Sequence, residues 1–310
     1  MFLPARRAAT GVISLLVVST FTPLAMDAAP HAKKFPKCCV WRVTNSKAPF
    51  YLVGSIHALS KKDYPLPKPY QIALKGSNRY VFEFDPRRHA EFEKKFEAAA
   101  KYPRGQDIRS KIHPELLAWL RKNMFTIMPP ARGGNGESLS SFDSQLRYKP
   151  WWIAQHLAAP ASYSKTSASH GLDNYFVDHA VRTGKEIAGL ESVKEHVAVM
   201  GGLSDHEGEF MLQDALSQPN GGETEFSRMY KAWRKGDTNA LWAGDSGLRT
   251  KAPSIAARFV DDRNVKWAPR IEAELKTGKP TAVVAGALHF SGPHSVIVLL
   301  QKRGYLIEQL

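Results

Sequence analysis

The chain of 310 residues is 43% hydrophobic and 23% charged, a balance that excludes disordered, collagen-like and disulfide-stabilised proteins. Its formal net charge of +14 indicates an anionic environment or partner. The two cysteines, Cys38 and Cys39, are adjacent, which excludes zinc fingers and zinc ribbons because these need separated pairs. We expect two surface thiols here, since a disulfide between neighbouring residues closes a strained ring.

The beginning of the chain has the pattern of a secretory signal peptide. Arg6 and Arg7 precede an uncharged, mostly apolar run over residues 8–26, and small residues follow it. An uncleaved membrane anchor is the alternative, because the run is just long enough to span a bilayer. We therefore predict a signal peptide over residues 1–32, one domain over residues 33–310, and a periplasmic or secreted protein.

The predicted elements begin with two β-rich segments, residues 40–44 and 50–53, joined by a turn-forming stretch that favours a hairpin. A helix over residues 68–75 ends at Gly76, and a strand follows over residues 79–84. Further helices are predicted over residues 89–101, 113–122, 145–157, 172–183, 193–203, 207–216 and 225–235. Residues 128–141, rich in Gly, Pro and Ser, predict a linker or a mobile lid.

From residue 185 onward, strands and helices alternate along the chain. Strands are predicted over residues 185–188, 281–285 and 305–309, two helices within residues 254–278, and one helix over residues 293–303. Strands alternating with helices predict an α/β or α+β domain around a central sheet.

A short duplication marks four strand ends. Residues 51–57, Tyr-Leu-Val-Gly-Ser-Ile-His, resemble residues 283–289, Val-Val-Ala-Gly-Ala-Leu-His, since each is an apolar strand followed by Gly-x-x-His. Residues 80–83 and 187–191 resemble each other in that both strands end on a glutamate. The duplication thus selects His57, His289, Glu83 and Glu191.

These four side chains predict a shared metal site. Ligands of an open α/β sheet gather outside the carboxyl ends of its strands. Imidazoles and carboxylates together are a ligand set for a divalent metal ion. A single Gly-x-x-His would more often hold an ordinary surface or core histidine, so the prediction depends on the matching pairs.

Residues 261–264, Asp-Asp-Arg-Asn, add a second candidate feature. Arg263 and Asn264 could hold a carboxylate ligand or a substrate oxyanion near a metal. A solvated helix face is an equal alternative. Basic residues are scattered along the chain without stacking aromatics, so we expect no nucleic-acid partner.

The ordered series of motifs resembles the TraB/PrgY/GumN family, which is related to the TIKI metalloproteases. The resemblance extends over most of the chain after residue 40. Its motifs are Tyr-Leu-Val-Gly-Ser-Ile-His at 51–57, Tyr-Pro-Leu-Pro at 64–67, Tyr-Val-Phe-Glu-Phe at 80–84, Gly-Leu-Asp at 171–173, Gly-Leu-Glu at 189–191, Ala-Trp-Arg-Lys-Gly-Asp at 232–237, Arg263-Asn264 before Trp267, and Val-Ala-Gly-Ala-Leu-His-Phe-Ser-Gly at 284–292. It implies a single α/β domain with a central mixed sheet, two pseudo-symmetric halves and many surrounding helices, similar to erythromycin esterases and ChaN-like iron-binding proteins.

The resemblance also implies a metal-dependent, peptidase-like hydrolase. The metal or catalytic positions of the family match His57, His289 and Glu83, and the secondary matches are Glu191, Arg263 and Asn264. The expected cofactor is Mn²⁺, Co²⁺ or Zn²⁺, and the expected substrate is a peptide or another small acyl compound. Glu191 would complete the metal shell or act as general base, and Arg263 would stabilise an oxyanion or the carboxylate of the substrate.

Two other functions remain open at the level of the sequence. One is a non-catalytic iron- or haem-binding protein of the ChaN-like type, suggested by the further histidines His170, His179 and His294. The other is an accessory protein of envelope polysaccharide, for which the positive charge would meet an anionic envelope surface.

Overall fold

Six strands form one mixed sheet at the centre of the protein. The computed structural model describes residues 37–127, 142–162, 168–217 and 223–310, and Pro36–Leu310 is one compact unit. The strands are β1 (Val40–Val43), β2 (Phe50–Ser55), β3 (Arg79–Phe84), β4 (Glu186–Glu191), β5 (Thr281–Gly286) and β6 (Ile307–Gln309). Their spatial order is β4-β3-β5-β2-β1-β6, which confirms the predicted α/β fold with a central mixed sheet.

The strands that carry the duplicated motifs are neighbours in this sheet. Strands β2 and β5 pair in parallel, and so do β3 with β4 and β3 with β5. Strand β1 is antiparallel to β2, as predicted for the hairpin, and also to β6. The carboxyl ends of four parallel strands therefore meet at one edge of the sheet. Strands β2 and β5 are almost entirely buried, as is typical of parallel strands covered on both faces.

Helices cover the sheet and extend beyond it. They are α1 (Lys68–Gly76), α2 (His89–Ala100), α3 (Pro114–Ile127), α4 (Phe142–Gln145), α5 (Pro150–Ser162), α6 (Leu172–Thr183), α7 (Val193–Gly201), α8 (Asp205–Ser217), α9 (Glu223–Arg234), α10 (Thr238–Gly244), α11 (Ser246–Lys251), α12 (Pro253–Ala256), α13 (Asp262–Lys276) and α14 (Val296–Gln301). Helices α1, α6, α9 and α13 pack buried side chains on the sheet, and two smaller apolar clusters lie among other helices, including α5 and α8. Within the described ranges, no helix has the length and apolarity that crossing a membrane requires.

The predicted helix over residues 145–157 is instead two helices with a break between them. In the break, the backbone N–H of Lys149 donates to Ala100 O at 2.7 Å, and that of Tyr102 donates to Arg147 O at 2.8 Å. Pro150 begins α5, and the residue before a proline avoids helical backbone angles. The long-range hydrogen bonds and the proline together interrupt the helix that the periodicity predicts over residues 145–157.

The two helices predicted within residues 254–278 form one continuous helical run. Helices α12 and α13 are joined by a π-turn, Ala257–Asp261, in which the backbone takes a wider turn than in an α-helix. Arg263 and Asn264 follow this turn directly. Single π-turns are frequent at functional sites.

The expectation of two surface thiols is wrong. Cys38 and Cys39 form no disulfide bond and are buried, with 3% and 0% of their surface exposed. The Cys38 N–H donates to Leu310 O at 2.9 Å, and the Gly54 N–H donates to Cys39 O at 2.7 Å, so neighbouring backbone covers the pair. Burial raises the pKa of Cys38 to about 11 and that of Cys39 to about 12.

Two predictions concern segments outside the described residues. They are the signal peptide over residues 1–32 and the linker or lid over residues 128–141. The domain boundary at residue 33 accordingly stays a prediction.

Candidate functional site

Two glutamates and one arginine form the buried centre of the site. Glu83 lies near the end of β3 and Glu191 ends β4, while Arg263 reaches both from the first turn of α13. Arg263 Nη2 lies 2.6 Å from Oε2 of Glu83. Arg263 also binds Glu191 in a bidentate manner, with Nε 2.9 Å from Oε1 and Nη2 3.0 Å from Oε2. This planar pairing is a geometry that arginine provides and lysine does not.

Both oxygens of Glu191 are fully occupied. Besides Arg263, Oε1 accepts from Trp267 Nε1 at 2.8 Å, and Oε2 lies 3.0 Å from His196 Nδ1. Burial would raise the pKa of Glu191, but the hydrogen bonds from His196 and Arg263 outweigh it and lower this pKa. With four donors around it, Glu191 is suited to holding Arg263 in place rather than to accepting a proton.

Trp267 connects Arg263 with His289. It lies four residues after Arg263, on the same face of α13, and the guanidinium carbon of Arg263 lies 4.5 Å from the centre of its ring. The ring of His289 also packs against Trp267, at a centroid distance of 4.3 Å. Trp267 is fully buried, so the contacts on this helix face are shielded from water.

The position and protonation of His289 are set by Asn264. His289 lies in the 3₁₀ turn Ala287–Phe290 that follows β5, and it is 5% exposed. Its Nδ1 lies 2.7 Å from Oδ1 of Asn264, whose amide nitrogen donates to His294 O at 3.0 Å. Because Asn264 presents an acceptor, Nδ1 carries the hydrogen, and the lone pair of Nε2 accepts from Arg263 Nη1 at 3.2 Å. Burial lowers the pKa of His289 to about 4, so the ring is neutral at pH 7.

Glu83 connects this histidine with the sheet. Its Oε1 accepts the backbone N–H of Gly286 at 2.9 Å and lies 3.9 Å from His289 Nε2. Burial would raise the pKa of Glu83, but the positive charge of Arg263 reverses the effect and holds this pKa well below its usual range. Glu83 and Glu191 thus carry two negative charges against one on Arg263. The excess negative charge favours a cation beside the cluster.

His57 occupies a more open position. It follows β2, and its side chain is 71% exposed. Nδ1 lies 3.2 Å from Oδ2 of Asp173, a residue in the first turn of α6. This hydrogen bond and the charge of Asp173 raise the pKa of His57, although solvent around the exposed ring limits the effect. With Nδ1 bound to the carboxylate, Nε2 is the free nitrogen of the ring.

Four of the six predicted residues, His57, Glu83, Arg263 and His289, line one cavity of about 320 Å³, and Glu191 and Asn264 lie behind them. Five of the six, Glu83, Glu191, Arg263, Asn264 and His289, form a continuous hydrogen-bonded network. His57 is outside this network but lines the same cavity, together with Glu83, Arg263 and His289. Arg263 and Asn264 are 8% and 0% exposed, so the alternative of a solvated helix face is wrong for both.

Three residues that support the site were not selected from the sequence: Asp173, His196 and Trp267. Asp173 ends the Gly-Leu-Asp motif and lies in the first turn of α6. Trp267 is one helical turn after Arg263 and His196 is five residues after Glu191. These short spacings from predicted site residues were the signals in the sequence from which Trp267 and His196 could have been selected.

The further histidines lie away from this cavity. His179 Nδ1 is 2.9 Å from the Tyr80 hydroxyl, His170 lines a separate surface cavity near Tyr64, and the ring of His294 lies beside Trp242. None of these three lines the cavity that holds His57 and His289. The arrangement gives no support to a larger histidine cluster for iron or haem.

Comparison with known proteins places this chain in a family. Residues 39–309 match the sequence model of the TraB/PrgY/gumN family. The chain belongs to this family. It is 22% identical to metalloprotease TIKI2 of Danio rerio over 323 aligned residues, which cover 90% of this chain and 62% of the relative. It is 23% identical to metalloprotease TIKI1 of the same fish, over 84% of this chain and 60% of the relative.

The similarity to the curated relatives covers only part of their length. The chain spans about six-tenths of the length of these curated relatives. No solved structure was found that matches it. The names of the relatives associate them with metal-dependent proteolysis, and whether this TraB/PrgY/gumN member can hold a metal depends on its own donors.

The donor chemistry fits a divalent cation. Each histidine has an oxygen acceptor at Nδ1, Asp173 for His57 and Asn264 for His289, and this is the outer-shell arrangement typical of metal-binding histidines. Glu83 adds a carboxylate, and the net negative charge of the cluster has the matching sign. Within the described ranges, however, no three or more His, Cys, Asp or Glu side chains form a group ready to hold a metal ion.

Proposed function

We propose that this protein is a metal-dependent hydrolase of the peptidase type that acts on a peptide or another small acyl substrate. The observation that carries the proposal is the pairing of two histidines with outer-shell oxygens around one cavity. His57 and His289 are each fixed at Nδ1, and both line the cavity together with Glu83. The similarity to metalloproteases supports the same reaction class.

The proposal assigns the metal to His57 Nε2, His289 Nε2 and the carboxylate of Glu83. The low pKa of His289 keeps that ring neutral at pH 7, so its Nε2 retains a lone pair. Asp173 raises the pKa of His57, so His57 would bind the metal by releasing its Nε2 proton. When bound, a divalent metal supplies an activated water and polarises the carbonyl group of the substrate.

Arg263 and Glu191 act together in this proposal. Glu191 holds Arg263 through two parallel hydrogen bonds, so the guanidinium keeps its orientation without substrate. Arg263 lines the cavity and presents a fixed positive charge to the oxygen that becomes negative during acyl transfer. This arrangement favours the oxyanion role for Arg263. It makes Glu191 a positioning residue rather than a metal ligand or a general base.

We also propose that the protein is exported, on the basis of the sequence pattern of its first 32 residues. The basic start and apolar run of residues 1–32 support export, with a periplasmic or secreted protein as the product. The net charge of +14 supports contact with an anionic envelope surface. Fractionation of cells that express the full chain, followed by sequencing of the mature N-terminus, tests this part.

The metal assignment is tested by elemental analysis of the purified protein. We compare wild type with a His57→Ala/His289→Ala double variant and with a His89→Ala/His206→Ala control, which removes two exposed histidines elsewhere. Wild type and control should carry Mn, Co or Zn and cleave peptides, and the double variant should do neither. Equal metal content in all three proteins would contradict the assignment. Iron in the wild type, or a haem absorption band, would favour the iron-binding alternative.

A further inference from the structure

The cavity of the candidate site has two chemically different parts. Its polar end holds His57, Glu83, Arg263 and His289. The other described lining residues are all uncharged: Ser55, Ile56, Phe226, Met229, Trp233, Leu241, Val260, Gly286, Ala287 and Leu288. We propose that this apolar wall is a specificity pocket, which selects a bulky uncharged side chain of the substrate next to the reacting bond. The inference rests on the proposed hydrolase function, because it places the reacting group at the polar end.

The chemistry of the wall determines what it admits. Met229 and Trp233 come from α9, Leu241 from α10, and Val260 from the π-turn before α13. A charged side chain entering between them would lose its hydration and find no ion partner on the wall. An aliphatic or aromatic side chain would instead exchange water for apolar contact. The wall thus discriminates by desolvation as well as by shape.

The wall is held in place before a substrate arrives. Trp233 is 3% exposed, and its Nε1 donates to the carbonyl of Gly54 in β2 at 2.9 Å. Its ring lies 5.6 Å from that of Tyr70. In the same helix, the Tyr230 hydroxyl and Arg234 Nη1 both donate to Asp63, so α9 is tied to the loop after β2. A rigid pocket of this kind loses little conformational entropy on binding.

The size of the cavity limits its occupant. About 320 Å³ is at the lower end of the roughly 300–1,000 Å³ found for small-molecule sites. This space suits one side chain together with the reacting group, rather than an extended segment of several residues. Met229 is half-buried on the wall, and a thioether side chain adapts readily to different apolar partners. Because Met229 can adapt in this way, we expect the pocket to accept Leu, Met and Phe side chains alike.

The pocket can be tested by binding, independently of catalysis. The wild-type protein is titrated with the N-acetyl amides of leucine, phenylalanine, glutamine and lysine, and binding is followed by ligand-observed NMR. The leucine and phenylalanine amides should bind more tightly than the other two by a factor of about 10 or more, because a single methylene group in a hydrophobic pocket already discriminates by roughly that factor. Equal binding of all four, or no binding of the apolar pair, would overturn the inference.

Two substitutions localise the effect. Met229→Glu should abolish the preference for apolar amides, whereas Met200→Glu, at another half-buried methionine packed in a different cluster, should keep it. Met229→Ala serves as the second variant if the glutamate prevents folding, and because it enlarges the pocket it should strengthen binding of the phenylalanine amide relative to the leucine amide. Neither change at Met229 should alter the metal content.

Cleavage of a fluorogenic peptide series separates this inference from the proposed function. Selective binding without cleavage of any peptide would refute the hydrolase and leave the pocket. Cleavage that ignores the side chain, with unselective binding, would refute the pocket and leave the hydrolase.

Discussion

Oδ1 of Asn264 lies 2.7 Å from Nδ1 of His289, and the amide nitrogen of the same side chain donates to the backbone carbonyl of His294. The second bond orients the amide, so that its oxygen faces the imidazole. The orientation in turn assigns the hydrogen of His289 to Nδ1 and leaves the lone pair on Nε2, the atom that we propose as a metal ligand. Asn264 thus determines which nitrogen of His289 carries the hydrogen and which keeps the lone pair.

Asn264→Leu should therefore weaken metal binding without creating a large cavity, because leucine is similar to asparagine in size. We expect the metal affinity to fall roughly 10–100-fold, the range for loss of an outer-shell partner. Titration of the metal-free protein with Mn²⁺ or Zn²⁺ measures the change. Asn123→Leu, on α3, is the matched control. An affinity equal to that of wild type in Asn264→Leu would argue against the role given to this residue.

Removal of Arg263 should destabilise the fold as well as the site. Arg263→Met leaves Glu83 and Glu191 buried without their partner, and breaking a buried ion pair in this way costs about 3–5 kcal/mol. Arg42→Met breaks the exposed pair with Glu308 and should cost at most about 1 kcal/mol. Urea unfolding of the two variants measures the difference in free energy. Similar losses for both would show that the buried cluster is not a source of stability.

Acid should destabilise the protein partly through Glu195. This residue binds Arg270 and accepts the backbone N–H of Ser192, and the two contacts lower its pKa from 4.5 to about 2. A carboxyl with a lowered folded-state pKa contributes stability that is present above pH 4.5 and is lost as the pH falls toward 2. Glu195→Gln should flatten the dependence of the unfolding free energy on pH within this window.

The matched control for this acid prediction is Glu115→Gln, at an exposed glutamate of α3. Chemical unfolding at a series of pH values gives both curves. The control should follow wild type. A Glu195→Gln curve as steep as that of wild type would contradict the assignment.

The cysteines should resist modification in the folded protein. Cys38 and Cys39 are buried and their raised pKa values keep them as thiols, whereas alkylation and disulfide exchange need the thiolate. A thiol-reactive dye at pH 8 should label neither residue in native protein and both in urea. Rapid labelling of native protein would mean that the amino-terminal strand opens readily.

The sequence predicts those parts of the fold and site that depend on local pattern. The strand Arg79–Phe84 and the helix Leu172–Thr183 have the predicted bounds, because their periodicity and flanking glycine are local signals. Glu83, Glu191 and His289 lie near each other because strands with matching ends are parallel neighbours.

The remaining features depend on contacts between distant segments. The bidentate pair joins Glu191 to a residue 72 positions later, and no local pattern encodes that distance. Helices α10 and α11 are short and lie around Gly244 and Gly247, so their apolar spacing is too brief to recognise. The burial of Cys38 depends in the same way on the last residue of the chain, Leu310.

The π-turn Ala257–Asp261 has a consequence for how the gene can vary. One residue more or less in a helix rotates everything after it by about 100°, since an α-helix has 3.6 residues per turn. Deleting a single codon within this turn would leave the amino-acid pattern of α13 intact but aim Arg263 and Trp267 away from the strand ends. The number of residues in the π-turn thus sets the direction in which the side chains of α13 point. Substitutions within the turn should be tolerated far more readily than insertions or deletions.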